Sequence, residues 1–148
     1  MKKYDVTVEI DLPVNRVWEL FDNPDNLGKW LKELDSLEPL EGEHGQPGSK
    51  TRMKMTMGKR TCELIETIKV RDPGREFTAI FETKGMVNNS QNLFEELGEN
   101  RTRWTQTNEF RTQGIMMKLI TILMPGAFKK QTLTHMTNFK EFAEAEGK

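Results

Sequence analysis

Apolar and polar residues alternate at the start of the chain and predict a β-strand over residues 4–12. The apolar positions are every second residue: Tyr4, Val6, Val8, Ile10, Leu12. Successive side chains of a strand point to opposite faces, so this pattern is typical of a strand with one buried face and one face in water.

Helical spacing follows directly. Pro13 suits the first turn of a helix, because its φ is fixed and it has no N–H to leave unpaired. Apolar side chains then recur three and four residues apart: Val14, Val17, Trp18, Phe21. The Asn23-Pro24 pair predicts the end of this helix, and residues 24–31 predict a second short helix.

Six further strands are predicted from alternation and from the turns between them. They cover residues 34–41, 49–57, 60–71, 75–84, 86–97 and 101–112. Gly58-Lys59 predicts a tight hairpin, and Asp72-Pro73-Gly74 predicts a turn because proline presets φ and glycine tolerates a positive φ. Strands that follow one another through short turns predict an antiparallel sheet.

The last third of the chain is predicted to be helical. Residues spaced three and four apart continue from Phe128: Thr132, His135, Met136, Phe139, Phe142, Ala143. An apolar stretch over residues 115–124 comes before them, and Pro125-Gly126 predicts a kink. Only this long helix can cover one face of the sheet. The 148 residues therefore predict a single α+β domain, residues 1–148.

Charge and composition narrow the classes of partner. The chain has 22 basic and 23 acidic residues and a net charge of -1, which argues against nucleic acid as a partner. Residues 115–124 are too few to span a bilayer, so no stable membrane insertion is expected. No signal peptide is visible behind Met1, and a cytoplasmic location is expected. A single cysteine, Cys62, excludes an internal disulfide and fits a reducing compartment.

Several short motifs resemble one known family in their order and spacing. Pro13, Val17-Trp18, Asn23-Pro24 and Trp30 are similar to its opening helices. Later segments resemble its central turns, its last hairpin and the end of its long helix: GQPGSK at 45–50, VRDPGREF at 70–77, LGENRTRWT at 97–105, NFKEFAEAE at 138–146. The chain resembles a START-like domain of the polyketide cyclase/dehydrase and lipid-transport type (the SRPBCC superfamily).

This resemblance implies a helix-grip fold, with about seven antiparallel strands curved around the C-terminal helix and a cavity between them. The chain departs from the pattern at Asn23, where aspartate is usual, and at Asn100-Arg101, where glycine is common. Neither departure threatens the fold. The family includes carriers, receptors and cyclases, so the resemblance implies no single activity.

Residues with catalytic potential are few. His44 lies in a glycine-rich loop and is expected in solvent, whereas His135 lies on the apolar face of the last helix and is a candidate for a core, ligand or catalytic contact. The spacing of histidine and cysteine gives no metal site, and no cofactor is predicted. Cys62 is interpreted as a small buried residue.

Polar residues at inward strand positions are the most informative feature. Alternation over the strand at 60–71 predicts that Cys62, Leu64, Glu66, Ile68 and Val70 share one side, so if Leu64 and Ile68 face inward, Glu66 between them does too. If Phe94, Trp104 and Phe110 face inward, a row of polar residues does too: Asn88, Ser90, Asn92, Gln106, Asn108. Buried polar groups need partners, so this row predicts either a cavity with a polar end or, if a bulge changes the register, a solvated row.

The leading hypothesis is a non-catalytic binder or carrier of a small hydrophobic or amphipathic molecule. The residues predicted to line its cavity are Trp30, Met53, Met55, Leu64, Glu66, Phe77, Phe81, Asn92, Trp104, Gln106, Asn108, Leu119, Leu123, Phe128, His135 and Met136. Two alternatives stay open. One is a cyclase-, aromatase- or dehydrase-type enzyme in which Glu66 or His135 moves protons, and the other is a protein-interaction module. The oligomeric state is not predicted.

Overall fold

Seven antiparallel strands form one curved sheet, as the alternation predicts. The computed structural model describes residues 2–115 and 126–147. The strands are β1 Lys2–Ile10, β2 Leu34–Glu41, β3 Lys50–Met57, β4 Arg60–Asp72, β5 Glu76–Thr83, β6 Met86–Gly98 and β7 Arg101–Thr112. They lie in the order β1-β7-β6-β5-β4-β3-β2. Consecutive strands therefore pair as hairpins from β2 to β7, and β1 joins at the far side of β7.

The helices lie on the concave face of this sheet. They are α1 Val14–Asp22, a 3-10 helix Pro24–Asn26, α2 Leu27–Trp30 and α3 Ala127–Gly147. The predicted single helix over residues 24–31 is split in two. The side-chain oxygen of Asn23 accepts from the backbone N–H of Asp25 at 3.0 Å and so caps a tighter 3-10 turn. No helix in the described ranges is both long and apolar enough to cross a bilayer.

Aromatic side chains pack one end of the concave face. Phe139 on α3 is fully buried, and its ring centroid lies 5.2 Å from those of both Trp30 and Trp104. Phe21 of α1 contacts the same group, with its ring 5.5 Å from Trp104 and 5.1 Å from Phe94. Each buried side chain of this size contributes about 1.5–3 kcal/mol, so this cluster anchors α1, α2 and α3 to the sheet.

A β-bulge in β4 changes which residues face inward. The pairing with β5 shifts between Ile68 and Val70, so the prediction that Val70 lies on the same side as Ile68 is wrong. Val70 is 37% exposed, while Ile68 is 2% exposed. The extra residue turns Arg71 toward α1, where it pairs with Asp22.

Candidate functional site

The concave face has an apolar end and a polar end. In the pairing of β6 with β7, Trp104 lies opposite Phe94 at the apolar end. The next three inward pairs are polar or mixed: Gln106 with Asn92, Asn108 with Ser90, Phe110 with Asn88. No bulge interrupts this part of the two strands. The polar row therefore faces inward, and the alternative of a row turned to solvent by a bulge is excluded.

Four of these side chains form a hydrogen-bonded series, here called the amide chain: Asn88, Asn108, Gln106, Asn92. Nδ2 of Asn88 donates to Oδ1 of Asn108 at 3.0 Å, and Nδ2 of Asn108 donates to Oε1 of Gln106 at 2.9 Å. Nε2 of Gln106 donates to Oδ1 of Asn92 at 2.7 Å. That oxygen also accepts from Nε1 of Trp104 at 2.9 Å. Most of the polar atoms of the amide chain thus have a hydrogen-bond partner within it or on its neighbours.

One atom of the amide chain has no hydrogen-bond partner among the described residues. Oδ1 of Asn88 is buried and makes no hydrogen bond with any residue that the structure describes. A buried acceptor of this kind costs about 1–3 kcal/mol when it is left unpaired. The polar end of the concave face therefore carries an unmet acceptor.

Glu66 lies in the same cross-strand row as Asn88. Its Cα partners are Thr51 on β3 and Phe81 on β5, and Phe81 is in turn opposite Asn88. Glu66 and Asn88 thus flank Phe81, with their backbones roughly 10 Å apart, which is two strand spacings. Burial raises the pKa of Glu66 from 4.5 to about 7. Near neutral pH its carboxyl group can therefore either donate or accept a hydrogen bond.

Tyr4 links the polar end to α3 and was not among the predicted site residues. Its hydroxyl donates to the carbonyl oxygen of Phe128 at 3.1 Å and accepts from the hydroxyl of Thr132 at 2.6 Å. Burial raises the pKa of Tyr4, and hydrogen bonds to Thr132 and Asn108 oppose that effect. The signal was present in the sequence, since Tyr4 occupies an inward position of the first strand.

His135 makes a contact between helix and loop. Its Nε2 lies 3.0 Å from Oε2 of Glu33, which precedes β2, and both side chains are half-buried. This pair ties α3 to the segment between α2 and β2. The candidate catalytic role of His135 stays a prediction.

The other predicted lining residues divide between packed core and half-buried wall. Trp30, Met53, Met55, Trp104 and Met136 are buried, whereas Leu64, Phe77, Phe81, Gln106 and Phe128 are half-buried. Leu119, Leu123 and the predicted kink at Pro125 lie outside the described residues. Ligand contact by any of these side chains stays a prediction.

The described residues contain no candidate metal site. Within ranges 2–115 and 126–147, no group of three or more histidine, cysteine, aspartate or glutamate side chains is arranged to hold a metal ion.

An open groove of about 360 Å³ lies on the opposite, convex face of the sheet, lined by Ile80, Val87, Asn89, Glu109 and Arg111. None of the predicted site residues lines this groove.

Comparison with known proteins places this geometry in a family. Solved structures share the fold across nearly the whole chain. A Thermus thermophilus protein is 19% identical, with a TM-score of 0.81 and coverage of 99% of this chain and 100% of that one. The Zhui aromatase/cyclase from a Streptomyces species is 14% identical, with a TM-score of 0.83 and coverage of 99% and 96%.

Norcoclaurine synthase from Thalictrum flavum, solved with dopamine and hydroxybenzaldehyde, is 13% identical, with a TM-score of 0.74 and coverage of 98% and 87%. None of the curated proteins matches the chain. The family described as polyketide cyclase / dehydrase and lipid transport matches residues 1–140. With the helix-grip fold and this match over almost its full length, the chain belongs to the polyketide cyclase/dehydrase and lipid-transport family of the SRPBCC superfamily.

Proposed function

We propose that this protein binds a small amphipathic molecule between the concave face of the sheet and α3, without transforming it. The observation that carries the proposal is the amide chain, which lies among apolar side chains and ends on the unpaired oxygen of Asn88. A polar group of a ligand would pair with that oxygen. Its apolar body would lie against Phe81, Leu64 and the methionines of β3.

Affinity in such a site comes mainly from apolar burial. Each 100 Å² of apolar ligand surface removed from water contributes about 2.5 kcal/mol, offset by the cost of immobilising the ligand. Met53 and Met55 have flexible, polarizable side chains that adapt to ligands of different shape. The fold supplies this apolar wall, and the amide chain supplies the polar group that orients the ligand.

Native mass spectrometry of the purified protein, followed by organic extraction, tests the proposal. A bound molecule with an apolar body and a polar group is the expected result, and adding it back to stripped protein should raise the melting temperature. A clean mass of the unbound protein, with no change of melting temperature across a panel of alcohols, phenols, fatty acids and sterols, would contradict it.

Glu66 favours a second candidate function, that of a cyclase- or dehydrase-type enzyme. A carboxyl group with a pKa of about 7 is suited to proton transfer near neutral pH. Incubating the extracted ligand with stripped protein distinguishes the two functions. A change in ligand mass or absorbance that the Glu66→Gln variant no longer produces, while it still binds the ligand, would establish catalysis. An unchanged ligand supports the carrier.

A further inference from the structure

The indole of Trp104 fixes the direction of hydrogen bonding at one end of the amide chain. An indole N–H can only donate, so the atom of Asn92 that lies 2.9 Å from it is the oxygen. Gln106 reaches the same oxygen at 2.7 Å and must therefore present its nitrogen. The other end of the Asn92 amide agrees, because its nitrogen donates at 3.1 Å to the carbonyl oxygen of Phe77, which can only accept.

This direction passes along the chain, since each amide has one donor nitrogen and one acceptor oxygen. With its nitrogen on Asn92, Gln106 offers its oxygen to Asn108, whose nitrogen lies 2.9 Å away. Asn108 then offers its oxygen to Asn88, whose nitrogen lies 3.0 Å away. Asn88 is left with its oxygen at the end of the series. Turning this amide around would place two nitrogens, or two oxygens, against each other.

The amide chain therefore ends on an acceptor, Oδ1 of Asn88, which is buried and has no hydrogen-bond partner among the described residues. Hydrogen bonds in series polarise one another, which strengthens the terminal acceptor. Beside it lies Phe81, and on the far side of Phe81 lies Glu66. No hydrogen bond or ion pair joins the Glu66 carboxyl group to the part of the chain that the structure describes.

We propose that the ligand carries a hydrogen-bond donor, a hydroxyl or amine group, that pairs with Oδ1 of Asn88, and that the site rejects ligands of equal shape that carry only acceptors. This inference rests on the proposed function and specifies its ligand class. An ether or ester oxygen placed there would face another oxygen and leave both unpaired. A lost hydrogen bond at a buried group corresponds to at least about a tenfold loss of affinity.

Matched pairs of probes test the inference by titration calorimetry. 2-Naphthol is compared with 2-methoxynaphthalene, and decanol with decyl methyl ether, since each pair shares its apolar body and differs in the donor. The expected result is that the donor member of each pair binds at least about ten times more tightly. Equal affinities within both pairs would overturn the inference and leave the proposed function standing. If the protein bound no member of either pair, both the inference and the proposed function would be overturned.

Variants assign the preference to the amide chain. Asn88→Leu removes the acceptor at similar volume, and it should abolish the preference while ether binding is kept. Asn89→Leu is the matched control, because Asn89 is exposed on the convex face, and it should change nothing. A preference that survives Asn88→Leu would overturn the assignment.

Trp104→Phe removes the group that fixes the direction of the chain. It is expected to weaken the preference for donors even though Asn88 is intact, which makes Trp104 a positioning residue. Trp104 is fully buried, so the binding result of this variant is interpreted only if circular dichroism confirms that it folds. If Trp104→Phe does not fold, the Asn88→Leu variant alone tests the assignment of the preference to the amide chain.

Discussion

Arg71 donates two hydrogen bonds to Asp22, from Nη2 to Oδ2 at 2.6 Å and from Nε to Oδ1 at 3.1 Å. The pair joins the bulged end of β4 to the end of α1, and the hydrogen bond to Asp22 raises the pKa of Arg71. Asp22→Ala should lower the free energy of unfolding by about 1.5–3 kcal/mol, because it leaves a half-buried guanidinium without its partner. Urea denaturation measures this loss.

The exposed Arg16–Glu19 pair on α1 is the matched control. Glu19 has a side chain that is 70% exposed, so Glu19→Ala should cost less than about 0.5 kcal/mol. Equal losses for the two variants would show that the Arg71–Asp22 pair contributes no more than a surface contact.

Glu66 should make stability fall as the pH rises. Burial raises the pKa of its carboxyl group from the ordinary value of 4.5 to about 7 in the folded protein, so the folded state binds the proton more tightly than the unfolded state does. The stabilising contribution of protonated Glu66 to the free energy of unfolding is fully present below pH 4.5. It is lost as the pH rises to about 7, and the loss is about 3 kcal/mol in all. Glu66→Gln should remove this pH dependence, as measured by urea denaturation at pH 5 and pH 8.

Glu82→Gln is the control for that measurement, because Glu82 is exposed on the convex face of the adjacent strand. It should leave the pH dependence of the wild type in place. A Glu66→Gln variant with the same pH profile as the wild type would show that Glu66 titrates normally in the folded state.

His135 is expected to stabilise the position of α3. Replacing it in His135→Gln breaks the 3.0 Å contact with Glu33 and should lower the unfolding free energy by about 1 kcal/mol, while the affinity for the extracted ligand stays unchanged. His44→Gln is the control, since His44 is exposed in the loop before β3 and should have no effect. Loss of ligand affinity in His135→Gln with stability intact would instead place His135 in the binding site.

Tyr4 is expected to hold the first turns of α3 in place. Tyr4→Phe keeps the ring against Phe110 but removes the hydroxyl that contacts Phe128 and Thr132. Amide hydrogen exchange should become faster over residues 128–133 and stay unchanged around Ala143, which packs in the core. Thr7→Val on the exposed face of β1 is the control. Equal acceleration along all of α3 would mean that the change acts on global stability.

Alternation in the sequence was enough to predict the seven strands. It left open whether the amide residues face inward or whether a bulge turns them to solvent, and the unshifted pairing of β6 with β7 over these residues decided between the two. Alternation failed at Val70, because a bulge adds one residue without a change in the apolar pattern. The contact of Glu33 with His135 joins residues far apart in sequence, and local patterns carry no information about such pairs. The direction of the amide chain depends on which atom meets the Trp104 indole, which only the folded geometry supplies.

The place of β1 at one edge of the sheet has a consequence during synthesis. Among the strands that the structure describes, β1 pairs only with β7, bringing Tyr4 opposite Asn108 and Val6 opposite Gln106. Nearly all of the sheet lies between β1 and β7 along the chain, and closing so long a loop delays folding. β1 therefore stays unpaired on the ribosome until β7 has been made, and its apolar face is meanwhile exposed to aggregation and to chaperones. Any pocket enclosed by α3 is completed only after α3, which follows β7 along the chain, has been made.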